Sequence, residues 1–512
     1  MHVRTGAWVL AMLAACTPPR PSTGRVAVIA IANDPGHLNP GITTAAHVHA
    51  VADSLYNGLV GLDENLNPVP DLATSWDILD DGRTYVFYLT PGVRWHDGKL
   101  FTSSDVAFTF DQVLLRFHSR TRAGLSSTLE RIETPDDTTV VFRFDAPYAA
   151  LLQRLYVTEA PILPAHVYSR GDIERHPANL APIGTGPYRL LSHRPDDQLV
   201  LVRNESYFKP GLPHLDELVF RVIPDATTRL MALESGEVDY VSAVRPKDAA
   251  RLRESDGAFA VVGTTSGPGG GNCMMTWIFN MERSPLNERR VREGLARAID
   301  REQIVARVEF GEANVAAAPF SSGIPWAHAD GVLRRYEHDP AKAKELLDGR
   351  IERPLDIVHF PTFVKYGEIL RQQLERVGVE LEIRALDRAA AIETIYERRD
   401  FDTALISYCH GLDPDIGVRR MYDSASIGAV PFSNGAAYHN AETDRLFDEA
   451  ARRYQRDERR ALYHRVQELL ARDLPYWWLV ETRALTVYRS SFRDFSPWSG
   501  QFAERARWVG QE

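Results

Sequence analysis

The sequence predicts an α/β fold, on three observations. Between Leu355 and Tyr408 short apolar strands alternate with segments of helical period; a continuous apolar run, VAVIAI, ends at Ile31 and leads through a polar loop into a helical segment; and a strand pair turns around Asp81-Gly82. The order strand, helix, strand, helix, strand predicts a parallel sheet with right-handed crossovers in the second half of the chain.

Taken in order, the chain opens with Arg4 and an apolar run from Ala7 to Ala15 that ends LAAC at Cys16. The run is too short to span a bilayer. It resembles a bacterial lipoprotein signal (1–15) with lipidation at Cys16 and a Pro/Ser-rich tether over 16–24. The VAVIAI strand then runs into Asn33-Asp34-Pro35-Gly36-His37-Leu38-Asn39, and a helix is expected from Ala46 to Tyr56. After the Asp81-Gly82 strand pair comes a polar loop with His96-Asp97-Gly98. A helix starting at Ser104 follows, with Asp105 well placed in its first turn. Gly263 to Asn272, GTTSGPGGGN, is the most glycine-rich stretch; it lacks the Gly-Lys-Ser/Thr ending of a phosphate loop and reads as a hinge or linker.

The alternation then begins. Leu355 to Phe360 is a short strand, and Tyr366 to Val377 is helical, with Leu370, Leu374 and Val377 at i, i+4 and i+7. Val379, Leu381, Ile383 and Ala385 alternate with charged residues as in a strand; Ala389 to Arg398 is a second helix, and Phe401 to Tyr408 a third strand. Ligands of open α/β sheets lie beyond the carboxyl ends of the strands. Phe360 to Lys365 and the loop Tyr408-Cys409-His410-Gly411-Leu412-Asp413-Pro414-Asp415 occupy such ends. Gly, Asp and Pro are also ordinary turn residues, so a plain strand-end turn is the alternative.

At 512 residues the chain has room for two to four domains. Hydrophobic and charged contents of 44% and 25% are those of a globular protein. The net charge is −10 with acid and base interspersed and no basic stripe, which argues against nucleic acid as a partner. There is no G-x-S-x-G, H-E-x-x-H or C-x-x-C. His47 and His49 face different sides of a helix and make no metal pair. His96-Asp97 looks like an acid–base dyad, and Asp413 and Asp415 could be paired carboxylates, but no second catalytic group accompanies either. The sequence therefore points to neither an enzyme, a metal nor a cofactor, with an envelope hydrolase or chaperone as the weaker alternative.

The segment Leu72 to Val113, LATSWDILDDGRTYVFYLTPGVRWHDGKLFTSSDVAFTFDQV, closely resembles the signature of the family 5 extracytoplasmic solute-binding proteins of ABC importers, the dipeptide-, oligopeptide- and nickel-binding type. IGTGPYRL (183–190), Ile223-Pro224-Asp225 with the helix to Ser235, Asn280 to Val305, and LPYWW before Leu479 resemble further family patterns, in order, from about residue 25 to 500. The resemblance implies a type II periplasmic-binding-protein-like fold, a bilobal clamshell with an inserted third lobe. Lobe I would comprise 25–60, 181–265 and 481–512; the inserted β-rich lobe 61–180; and lobe III 272–480. It also implies capture of a solute, a peptide in the first reading, outside the inner membrane for a permease with a cytoplasmic ATPase. The protein would be a monomer in the periplasm or cell envelope, held to the membrane through the Cys16 lipid alone. Oligosaccharides, opine-like molecules and nickel chelates are the alternative solutes on this scaffold.

For the site, the resemblance implies that an extended ligand pairs with strand ends of two lobes. One wall is Asn33 to Asn39, with Asn33 and His37; the other is Tyr408, Cys409, His410 and Asp413. Peptide-binding relatives carry an Asp for the ligand amine just after the Cys409-like strand, where this chain has His410 or Gly411. Either Asp413 replaces that carboxylate or the ligand lacks an α-amine. Trp277 is a candidate for ligand stacking or for core packing, and Lys365 for a ligand carboxylate or a plain surface position. Spacing alone does not show that Cys273 and Cys409 meet; relatives that bridge these two places imply a disulfide between them.

Overall fold

The structure, a computed structural model, describes residues 25–264, 272–428, 430–497 and 499–509. The signal segment, Cys16 and the tether lie outside the described residues, as do residues 265–271 of the glycine-rich run.

Two large sheets organise the chain. The first has seven strands in the order Phe259–Thr264, Ala484–Arg489, Tyr240–Val241, Val26–Ile31, Glu217–Val222, Gln198–Arg203, Tyr188–Arg194. The VAVIAI strand sits inside it, parallel to both neighbours, which explains its unbroken apolar run: a strand covered on both faces needs no polar alternation. The second sheet has six strands in the order Ala313–Val315, Tyr476–Thr482, Cys273–Phe279, Thr403–Cys409, Leu355–His359, Leu381–Ala385. Leu355–His359 is parallel to Leu381–Ala385 on one side and to Thr403–Cys409 on the other, the arrangement the alternation predicts.

The chain passes between the two sheets along paired strands. Phe259–Thr264 pairs with Ala484–Arg489 in the first sheet, and Cys273–Phe279 pairs with Tyr476–Thr482 in the second. On the C-terminal side Arg483 alone separates the two sheets, and its guanidinium donates to Asn314 Oδ1 at 2.7 Å. Two adjacent crossings of this kind permit rotation of one lobe against the other about a short axis. Glu481 and Thr482 stay in the second sheet, so the crossing falls slightly later than the sequence reading had it.

The inserted segment carries its own four-stranded antiparallel sheet, Ala73–Leu79, Thr84–Leu89, Thr139–Phe144, Leu129–Asp136 in spatial order, and its own core. Its turn is made by Asp80, Asp81 and Gly82, all at positive φ. The following helix is Ser103–Phe108, starting one residue before the expected Ser104 because Thr102 caps it, with Asp105 completing a capping box. This lobe touches the six-stranded lobe: Leu412 packs on its core, and a Cβ on Gly82 would lie 3.2 Å from Tyr454.

Other elements shift by a few residues. The first helix is Ala46–Ala52, not Ala46 to Tyr56, because Ser54 and Leu55 turn back onto Val51 and Ala52 carbonyls. The helix after Phe360 is Val364–Glu375; it buries Tyr366, Ile369, Leu370 and Leu374, and Gly378 at φ +84 lies just beyond it. Gly367 lets it close on the sheet, since a Cβ there would fall 2.6 Å from His359 Nε2. The next helix is Arg388–Ile392 and continues in a wider turn over Glu393–Glu397.

Candidate functional site

The candidate site is built on the carboxyl end of Thr403–Cys409. One flank pairs along its whole length with Cys273–Phe279, in a register that sets Cys409 directly opposite Cys273. The two sulfurs are bonded at 1.98 Å. The other flank is different. Leu355–His359 covers only Thr403 and Ala404, and from Leu405 to Cys409 that flank has no strand partner among the described residues. Ser407 is half-buried and Cys409 exposed, whereas Tyr408 between them is buried. The strand therefore presents open backbone at the end where an α/β sheet takes ligands.

Tyr408 points inward. Its hydroxyl meets Tyr396 Oη at 2.9 Å and donates to the Ser433 carbonyl at 3.0 Å, so it shapes the core under the strand end and offers a ligand no free group.

His410 is enclosed directly after the strand. Its backbone N–H donates to the Asn272 carbonyl at 2.9 Å, and Asn272 Nδ2 donates to the carbonyls of His410 and Gly411 at 3.2 and 2.8 Å. The ring Nδ1 accepts the Ser321 N–H at 3.2 Å. This fixes the proton of the neutral ring on Nε2, a donor with no protein acceptor among the described residues. Burial, and behind it the charge of exposed Arg420, hold the imidazole down at about 3, so His410 is neutral across the physiological range. Gly411 is forced by space: a Cβ there would meet Ile416 at 2.2 Å.

Asp413 is not free to receive a ligand amine. Its carboxylate forms two bonds with Arg459, to Nη1 at 2.6 Å and Nη2 at 2.7 Å, and both side chains are buried. Arg459 also reaches Asp415 at 3.0 Å and the Tyr463 hydroxyl at 3.0 Å, and it stacks over Trp326. Of the two alternatives for the missing amine-binding carboxylate, the geometry opposes the one that uses Asp413: the group is spent on a buried ion pair that fixes the loop to the helix Arg456–Asp473. Asp415 carries the strain of this crowding. Burial first and Asp413 second raise its carboxyl to about 6, against the pull of Arg459 and Arg419.

The remaining predicted residues scatter. Trp277 is fully buried, opposite Leu405 and Trp477 in the sheet and 4.9 Å from the Phe279 ring, so it packs the core and stacks on no ligand. Lys365 is exposed and lies over the Phe310 ring at 5.6 Å, near enough for its charge to act on Glu309, and it forms no ion pair with a carboxylate among the described residues. Asn33 is exposed at the end of its strand. His37 is half-buried, its Nδ1 accepting the Asn39 N–H at 3.3 Å, and burial followed by the nearby His47 and His49 lowers its pKa. Asp34 is pinned by His193 at 2.8 Å.

The catalytic-looking His96-Asp97 pair is structural. His96 Nδ1 accepts the Gly184 N–H at 3.1 Å, leaving Nε2–H to donate to the Gly186 carbonyl at 3.2 Å, while Asp97 turns to His166 at 2.8 Å. His96 thus staples the inserted lobe to the IGTGPYRL segment. Among the described residues no His, Cys, Asp and Glu group is arranged to hold a metal, and no helix is long and apolar enough to cross a membrane.

Arg459, Asn272 and Ser321 were missed by sequence reasoning. Arg459 stands 46 residues from Asp413, inside a helix rich in exposed arginines, and no local pattern marks it. Asn272 closes the glycine-rich run, where its side chain gave no signal.

Comparison with known proteins agrees with this architecture. Residues 67–429 match the family described as bacterial extracellular solute-binding proteins, family 5 Middle. The chain is 27% identical over 483 residues to the glutathione-binding protein GsiB of Pectobacterium atrosepticum, covering 92% of this chain and 91% of that one. It is 28% identical over 495 residues to di/tripeptide-binding protein 3 of Pseudomonas aeruginosa, covering 89% and 90%. The crystal structure of the ABC transporter substrate-binding protein CtaP from Listeria monocytogenes superposes with a TM-score of 0.83 at 25% identity, over 95% of this chain and 100% of that one. Two sheets joined by paired crossings, an inserted lobe and an open strand end at Cys409 are thus the scaffold of a solute binder, and the chain belongs to the bacterial extracellular solute-binding proteins of family 5.

Proposed function

We propose that this protein captures short peptides outside the cytoplasmic membrane and hands them to an ABC permease. The observation that carries the peptide reading is the end of the uncovered flank of Thr403–Cys409, Ser407 to Cys409, which has no strand partner among the described residues and where Ser407 and Cys409 reach the surface. An extended peptide can add to such an edge through its own backbone, which gives affinity without demanding a particular side chain. The similarity to glutathione- and di/tripeptide-binding proteins supports the same class. The disulfide keeps that edge fixed against Cys273–Phe279, and closure of the lobes about Arg483 buries the bound solute. A thermal-shift screen with dipeptides, tripeptides, glutathione, oligosaccharides and nickel chelates tests this. Peptides should raise the melting temperature, the shift growing with the logarithm of free peptide once it exceeds Kd; a shift confined to sugars or chelates would exclude the peptide reading.

A second reading rests on the loop chemistry. A free α-amine brought to the strand end finds no counter-charge, because His410 is enclosed and neutral and Asp413 is already paired with Arg459. Burying an ammonium there without a counter-charge is costly. A solute whose amine is blocked or absent, such as an N-modified peptide or an opine-like acid, suits the pocket equally well, and N-acetylated peptides in the same screen separate the two.

We further propose anchoring through lipid on Cys16, on the strength of LAAC and the polar segment that follows. Globomycin should cause the precursor to accumulate and Cys16→Ser should release soluble protein; a mature chain beginning well downstream of Cys16 would contradict it.

A further inference from the structure

A second contact joins the two large sheets beside the crossing at Arg483. The helix Pro246–Arg253 belongs to the seven-stranded side: its Ala249 and Leu252 are buried with Leu485 and Val487 of that sheet. Its last residue, Arg253, reaches across. Nε and Nη2 donate to the two carboxylate oxygens of Glu312 at 3.0 and 2.9 Å, while Nη1 donates to the Val261 carbonyl at 3.2 Å. Glu312 immediately precedes Ala313–Val315, the edge strand of the six-stranded sheet. One guanidinium is therefore bonded to the backbone of one sheet and to a carboxylate of the other.

Position and burial make this pair sensitive to how the lobes are set. Ala313 stands opposite Thr482 and Asn314 opposite Glu481, so Glu312 falls level with Arg483, one strand aside from the crossing. Adjacent strands lie about 4.8 Å apart, which sets Glu312 off the crossing strand by that much. Turning one lobe on the other carries Glu312 with the six-stranded sheet and Arg253 with the seven-stranded one. A two-point fork of guanidinium and carboxylate keeps its strength only while the two groups stay aligned. Glu312 is 4% exposed and forms no other ion pair among the described residues, whereas the Arg253 side chain is half-exposed. Separation leaves a carboxylate largely withdrawn from water without its counter-charge. The pair is made here together with the contacts of Leu412 and Tyr454 between the six-stranded lobe and the inserted lobe.

We propose that Arg253 and Glu312 form a latch for the closed lobes: the pair is made on closure and broken on opening, and it sets how often the empty protein opens. A latch of this kind raises the apparent affinity for any solute that is buried by closure, because it raises the population of the closed state. The proposal concerns the empty protein and is independent of the peptide reading, since neither residue belongs to the Thr403–Cys409 edge.

The test is small-angle X-ray scattering from the whole protein without solute, with the radius of gyration as the readout. Glu312→Gln and Arg253→Gln should each lower the closed-to-open ratio about three- to tenfold, as expected for a charge pair with one half-exposed member, and the radius of gyration should rise. The double variant should match the singles, since one interaction is lost in all three. Arg253→Lys, which keeps the charge without the fork, should fall between them and wild type. Raising sodium chloride from about 50 to 500 mM should open wild type, because salt screens a half-exposed pair, and should leave Glu312→Gln unmoved. An unchanged radius of gyration in both single variants would overturn the proposal. So would a lower melting temperature with no change in the radius, since the pair would then serve stability alone.

Discussion

Arg459 holds both carboxylate oxygens of Asp413 at 2.6 and 2.7 Å, with both side chains buried, across 46 residues of sequence. That pair turns a residue expected to greet the ligand into one that holds the protein together. Asp413→Asn should therefore lower the unfolding free energy by about 3–5 kcal/mol, the cost of stranding one member of a buried pair. Arg459→Leu alone should do the same, and the double variant should recover part of the loss. Urea unfolding of the four proteins in a double-mutant cycle measures it; additive losses would mean that the pair is not coupled.

Asp415 crowds the same arginine. Its carboxyl titrates at about 6 in the fold against a usual value of 3.8. Between about pH 4 and 6 the folded protein keeps a proton that the unfolded chain releases, so this group's contribution to stability falls as pH rises through that window. Asp415→Asn should flatten this slope and stabilise the protein at pH 7.5 by about 1–3 kcal/mol. Denaturation at pH 4.5 and pH 7.5 checks the sign, and a variant weaker than wild type at pH 7.5 would contradict it.

The Cys273–Cys409 bond closes a loop of 136 residues. Chain entropy sets its contribution at no more than about 5 kcal/mol. Reduction should lower the melting temperature of wild type and leave that of the Cys273→Ala, Cys409→Ala double variant unchanged. Peptide affinity should fall in the double variant as well, because the open flank of Thr403–Cys409 loses its tie to Cys273–Phe279.

His410→Asp places a carboxylate where the strand ends. It should strengthen binding of free-amine peptides by about tenfold or more through the new charge pair and leave N-acetylated peptides unaffected. Equal effects on both would show that the side chain does not face the ligand's amino end.

The parts of this molecule that were legible in the sequence are those set by period. The alternation of strand and helix from Leu355 to Cys409 places three parallel strands correctly, because burial on both faces writes a continuous apolar run and burial on one face writes a stripe. Element ends were less legible: the first helix stops at Ala52 through turns after Val51 that no local signal announces. Side-chain roles at the site were least legible. Tyr408 alternates with Ser407 and Cys409, and Trp277 lies opposite Leu405 on the face of those two, in a sheet whose two faces the sequence does not distinguish, and both proved to be core. Asp413 reads as a loop carboxylate until Arg459 is placed beside it, and that placement depends on tertiary packing.

Titration of one tripeptide in free and N-acetylated forms tests the account most directly, because it asks at once whether peptides bind and whether a carboxylate meets their amine. The account predicts that the acetylated form binds at least as tightly as the free form, since neither His410 nor the committed Asp413 supplies a charge for the amine. Failure of both forms to bind, or a free form bound more than about thirtyfold tighter than the acetylated one, would contradict it.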